Sequence, residues 1–201
     1  MSKKKTSGKN AARQQARARQ RRQKRLWQLL GWAAGLLVLG LAAFAVWRGA
    51  QPTPGESVTV LPANHVEIGS DPGAYNSNPP TSGPHYPSEF DAGFYDENAP
   101  QAQETYPAGY LVHNLEHGYV IFWYNCDALS GGSCEDLKSQ IRDVMGQAGL
   151  PKLIAFPWPS LDVPVAMTSW GKLLNMPQFD ESAALAFIKA NYNRAPEPAA
   201  P

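Results

Sequence analysis

The fold class this sequence predicts is α+β: one N-terminal transmembrane helix, then a small outer domain with a loop-rich first half and a β-α-β-β-α mixed-sheet second half. Three observations predict it. The run Leu26–Trp47 is apolar and uncharged. The stretch from Val58 to Pro107 is crowded with Pro, Gly, Asn, Asp and Ser. Beyond it, apolar residues recur with strand and helix periods.

The charges divide as sharply as the hydropathy. The first 48 residues hold 12 of the 18 Lys and Arg and none of the 17 acids, which leaves 6 basic against 17 acidic residues in the remainder. A split of that kind places the two parts in different surroundings. At about 1.5 Å of rise per residue, Leu26–Trp47 reaches roughly 33 Å, enough for a hydrocarbon core of about 30 Å. Trp27, Trp32 and Trp47 lie near its ends, and Arg21, Arg22, Lys24 and Arg25 precede it. Positive charge there holds that end in the cytoplasm. A cleaved signal peptide would have an apolar stretch of about 7–15 residues and a small-x-small cleavage site. The run here is longer, and Arg48 stands just before the one plausible cut, after Ala50.

The expected organisation is therefore a basic cytoplasmic tail (residues 1–25), a transmembrane helix (26–47), a linker (48–57), an extracytoplasmic domain (58–194) and a mobile Pro/Ala tail (195–201). The basic tail has no hydrophobic pattern of its own and would contact anionic lipids of the bilayer. It lacks the folded motif and interleaved aromatics that nucleic-acid binding would need, so no nucleic acid is expected.

Within the domain, Tyr119–Tyr124 (YVIFWY) is aromatic and β-branched and reads as a buried strand. Glu135–Ala148 carries Leu137, Ile141, Val144, Met145 and Ala148 at helical spacing, opens on acids and stops at Gly149 and Pro151. Lys152–Phe156 and Val165–Ser169 read as strands. Asp180–Asn193 closes the chain as an amphipathic helix with Ala184, Leu185, Phe187, Ile188 and Tyr192 to bury. Helices packed on a short mixed sheet follow.

Cys126 and Cys134 flank DALSGGS, and on the outer side of a membrane two such neighbours form a disulfide. Their C-x7-C spacing lacks the activated-thiol geometry of C-x-x-C, so the bridge is structural.

Two histidine segments carry the chemistry. In YNSNPPTSGPHYP (Tyr75–Pro87), four prolines stiffen the backbone and present His85 and Tyr86. In HNLEHG (His113–Gly118), an extended chain would hold His113 and His117 about 13 Å apart. A helical turn would set them side by side with Glu116 close by. A site from His85, His113 and His117 with Glu116 then suits a divalent ion, copper or zinc. The same histidines could instead be hydrogen-bond struts bracing the loop-rich half. His65 is either a fourth ligand or an exposed side chain, and the second reading is preferred. HNLEH also fits the H-x-x-E-H pattern of inverted zinc peptidases, but Gly118 and the strand that follows leave no room for the long helix such a hydrolase needs. A structural or scaffolding module is the other alternative. It would bind an envelope protein partner through Tyr86, Tyr95, Tyr106, Trp158 and Trp170, read as lying outside the core. No Walker loop, dinucleotide fingerprint or nucleophile elbow is present.

NSNPPTSGPHYP, AGFY (Ala92–Tyr95), LVHNLEHGYV and AMTSWG (Ala166–Gly171) together resemble a bacterial membrane-anchored family catalogued as domain of unknown function 3105. The resemblance covers nearly the whole outer domain. It implies the same layout of basic tail, single helix and outer domain, and it brings no established activity. The family's histidine motifs fall on His85, His113 and His117, with Glu116 between the last two.

Overall fold

The computed structural model describes residues 24–25, 27–28, 30–44 and 54–200. The chain divides into two compact units, Met1–Pro52 and Thr53–Pro201. In the first, residues 30–44 are helical and exposed (α1). Among the described residues no helix is long and apolar enough to cross a membrane. The expected 26–47 span lies partly outside them, since residues 26, 29 and 45–47 are not described.

The second unit is built on a six-stranded mixed sheet, in spatial order β1 (Glu56–Ser57), β6 (Lys172–Met176), β5 (Val165–Ser169), β3 (Val120–Tyr124), β4 (Leu153–Pro157) and β2 (Gly93–Phe94). Its central strand, β3 (Val120–Tyr124), is buried at every residue. Successive side chains on a strand point to opposite faces. Val120, Phe122 and Tyr124 enter one apolar cluster, and Ile121 and Trp123 enter another. Covering both faces turns the usual alternation into a continuous hydrophobic run.

Strand β4 (Leu153–Pro157) lies parallel to β3, in a register that sets Val120 beside Leu153. A parallel pair needs a crossover, and α3 (Cys134–Ala148) supplies it. The Ser133 hydroxyl accepts from the Asp136 N–H at its start, and Gly149 ends it at φ 60°. Strand β5 (Val165–Ser169) pairs antiparallel with β3, and β6 (Lys172–Met176) folds back on β5. The turn between them places Gly171 at φ 67°, and a Cβ there would sit 2.8 Å from Val60 Cγ2. Helix α4 (Glu181–Asn191), capped by the Asp180 side chain, packs with α3 on the Val120–Phe122–Tyr124 face.

The opposite face is covered by α2 (Pro107–Glu116) and by loop residues such as Phe90, Tyr95 and Trp158, and the proline-rich segment is bonded to α2 through Tyr86. Only a turn at 113–117 is expected from sequence. The helix begins six residues earlier at Pro107, where a missing N–H costs nothing. It has no polar stripe to betray it, because Ala108, Gly109, Leu111, Val112 and the four residues after them are all buried.

Four further expectations are corrected. Strand β6 extends the expected β-α-β-β-α order. The edge strands β1 (Glu56–Ser57), inside the expected linker, and β2 (Gly93–Phe94), within the AGFY motif, complete the sheet. The closing segment expected to be mobile folds back onto the domain: the Glu197 N–H donates to the Glu116 carbonyl at 3.0 Å, and Lys152 Nζ donates to the carbonyls of His117 at 2.9 Å and Pro198 at 3.1 Å. Tyr86 is fully buried, and Tyr95, Trp158 and Trp170 pack partly buried against the core, so these four rings do not stand outside it.

Candidate metal centre

Two elements meet at the end of the sheet where β3 begins. His113 and Glu116 project from the last turn of α2 and His117 caps its end, where positions three and four apart share a face. His85 comes from the proline-rich segment, which runs beside residues 64–66: the His85 N–H donates to the Asn64 carbonyl at 3.0 Å and the Val66 N–H to the His85 carbonyl at 2.8 Å. That bridge brings His65 alongside His85. Tyr86, the next residue, fixes the segment to α2. Its N–H donates to the Gly109 carbonyl at 3.0 Å, and its ring lies so close that a Cβ on Gly109 would come within 2.5 Å of it. Only glycine permits that approach.

The four imidazoles form one cluster. Ring centroids are 4.9 Å apart for His65–His85, 5.2 Å for His85–His113, 5.4 Å for His65–His113 and 4.3 Å for His113–His117. His85 is wholly buried, and Glu116 is 6% exposed.

The bonds around His85 constrain what lies beside it. Its Nδ1 is 2.8 Å from the Gly83 carbonyl oxygen, which can only accept, so Nδ1 carries a hydrogen. In a neutral ring Nε2 then holds a lone pair, yet it faces Glu116 Oε2 at 2.9 Å. Two lone pairs at that separation repel. A cation must reside between or on them, whether a proton on one partner or a metal ion bound by both. His65 Nε2 is 3.9 Å from the same oxygen.

One ligand atom from each of His65, His85, His113 and Glu116 lies within 4.8 Å of all the others. Three imidazoles and a carboxylate are a donor set for Zn(II) or Cu(II). A second group of the same tightness, Glu89, His113 and His117, adjoins it and shares His113. Glu97 with Cys126 and Cys134 forms a third. There the sulfurs are joined at 2.00 Å and offer no thiolate, so the expected disulfide is present, with its Cα atoms 5.2 Å apart.

Burial, then the neighbouring His117 and His85, holds the His113 pKa below its ordinary value against the opposing pull of Glu89 and Glu116. The neutral, ligating ring is favoured. Nδ1 of His113 and Nδ1 of His117 are both buried without a hydrogen-bond partner.

Of the residues expected at the site, His85, His113 and Glu116 come together, while His117 stands in the adjoining group. His65, for which the sequence reading prefers exposure over a role as fourth ligand, is 54% exposed in its side chain and also belongs to the cluster. Glu89 is absent from the sequence expectation. Neither residue lies in a pattern of spaced ligands; the loop crossing that carries them in is long-range.

Fold and cluster define a small α+β domain with a buried imidazole–carboxylate centre between a helix and a proline-stiffened loop. Residues 65–201 match the family model described as "Protein of unknown function (DUF3105)", well over half of the chain, and the chain belongs to that family. No curated protein and no solved structure matches it.

Proposed function

We propose that this protein is a membrane-anchored, extracytoplasmic module that binds one divalent metal ion, copper or zinc, through His65, His85, His113 and Glu116. The observation that carries the reading is the buried His85–Glu116 pair. With Nδ1 committed to Gly83, the pair needs a cation at its centre, and two more imidazoles stand within reach of the same point. A bare proton would satisfy the pair but would leave the convergence of His65 and His113 without a purpose. The anchor rests on the uncharged run Leu26–Trp47 and on the basic residues before it.

A hydrolytic use of H-x-x-E-H is disfavoured. Helix α2 ends at Glu116, and that carboxylate is engaged with His85 rather than free to activate water. With four of the five aromatic rings packed on the core, a protein-docking role loses its main support.

Equilibrium dialysis of the metal-free full chain in detergent against Zn(II) or Cu(II) should load one ion per chain. A chain that emerges with none removes the reading. For the anchor, a membrane-impermeant amine label on intact cells should reach the exposed Lys189 and spare Lys3–Lys5. The reverse pattern would invert the topology.

A further inference from the structure

We infer that Glu89 is a positioning residue for this ion: its carboxylate stands beside Nε2 of His113 and so leaves Nδ1 of that ring as the ligand. The inference rests on the metal-binding reading above and names a residue that the reading does not use.

Glu89 Oε2 lies 3.4 Å from His113 Nε2. A carboxylate accepts and does not donate, so it favours the tautomer with hydrogen on Nε2. The lone pair then falls on Nδ1, the very atom that is buried with no hydrogen-bond partner. A buried acceptor left unmatched is costly unless something is to bind there. His85 is arranged by the same logic with its nitrogens exchanged: Gly83 takes the Nδ1 hydrogen at 2.8 Å, and Nε2 is left for the centre. Two rings from different elements thus each carry an acceptor behind them, the usual way of fixing a metal-binding imidazole.

The placement of Glu89 is built, not incidental. Asn114, the residue after His113, clasps the next residue of that loop at both backbone atoms. Its Oδ1 accepts from the Phe90 N–H at 3.1 Å, and its Nδ2 donates to the Phe90 carbonyl at 2.8 Å. The helix that carries His113 therefore also anchors the loop that carries its acceptor.

Heteronuclear NMR of histidine-labelled, metal-free full chain at pH 8 reads the tautomer directly. His113 should be protonated on Nε2, and Zn(II) should then displace the resonance of Nδ1. Glu89→Ala should mix the tautomers and weaken Zn(II) about 10–100-fold, the range typical of such outer partners. Glu89→Gln, whose amide oxygen still accepts, should recover part of that loss. Glu181→Ala, at the start of α4 where its carboxylate accepts from Gln147, should change neither reading. An Nδ1-protonated His113, or unaltered Zn(II) affinity in both Glu89 variants, overturns the role of Glu89 alone. A wild-type chain that binds neither Zn(II) nor Cu(II) overturns the functional reading, and this inference falls with it.

Discussion

The two faces of one sheet solve the same burial problem in different ways. Val120, Phe122 and Tyr124 look toward α3 and α4 and pack mainly on apolar partners, among them Ile141, Val144, Met167 and Phe187, with Lys138 and Asn191 the buried polar residues of those two helices. Ile121 and Trp123, one residue out of step, look toward α2 and the loops around it. There the apolar middle (Leu111, Leu115, Phe156) is bordered by buried Thr81, Ser82, His85, His113, Asn114 and Glu116. Regular helices satisfy their own backbone groups and can present a purely apolar stripe. Loops cannot, so their order has to come from side-chain hydrogen bonds. Polar groups brought inside for that purpose are stable only when matched. The face that is harder to build is the one that can hold an ion.

The contrast can be broken most forcefully on the apolar side. Phe187→Ala should lower unfolding free energy by about 3–5 kcal/mol, as emptied aromatic core sites do, while molecules still folded keep their ion affinity. Denaturant titration with parallel ion binding checks both halves; loss of affinity would mean that the two faces are coupled. Smaller, and again confined to the α3 side, is the disulfide. Replacing Cys126 and Cys134 together by Ser should cost about 2–3 kcal/mol, the loop-closure range for so short a ring, with ion binding untouched.

Asn114→Ala sharpens the comparison, because it should act on both stability and site. Leaving the Phe90 backbone groups unmatched should cost about 1–3 kcal/mol. Release of the Glu89 loop should weaken ion binding as well, which calorimetry on the folded variant would show. The smallest effect concerns pH. The folded pKa of His113 lies below the ordinary value of about 6.5, so folding favours its neutral ring. Its contribution to stability is present above pH 6.5 and is lost as pH falls through the lowered folded value. Wild-type melting temperature should therefore drop more on acidification than that of His113→Gln. Equal slopes would show that the ring does not report this burial.

The regular half was legible in sequence for the reason that makes it regular. The run YVIFWY and the apolar spacing of Leu137, Ile141 and Val144 are periodic, and period is what local sequence records. Helix α2 was hidden because burial on nearly all sides erases the stripe. Strand β6 was hidden because Lys172 and Asn175 interrupt its alternation. At the site, His85, His113 and Glu116 stood in stiff, compact motifs and could be paired by the helical rule. His65 arrives through a loop crossing stabilised by two backbone bonds to His85, and Glu89 through one clasped by Asn114, contacts for which the sequence carries no spacing. The closing segment looked like a disordered Pro/Ala tail, because the two groups that tie it down, Lys152 and the Glu116 carbonyl, lie far upstream.

The central claim is that the His85–Glu116 pair is one side of a metal site rather than a proton-sharing strut. Calorimetric titration of Zn(II) into metal-free full chain, run beside His85→Ala and His117→Ala, tests it most directly. The account expects one ion per wild-type chain, a loss of more than about a hundredfold in His85→Ala, beyond what outer partners contribute, and a smaller loss in His117→Ala. Wild-type protein that takes up no ion at micromolar concentration, or a His85→Ala variant that still folds and binds as tightly, would contradict it.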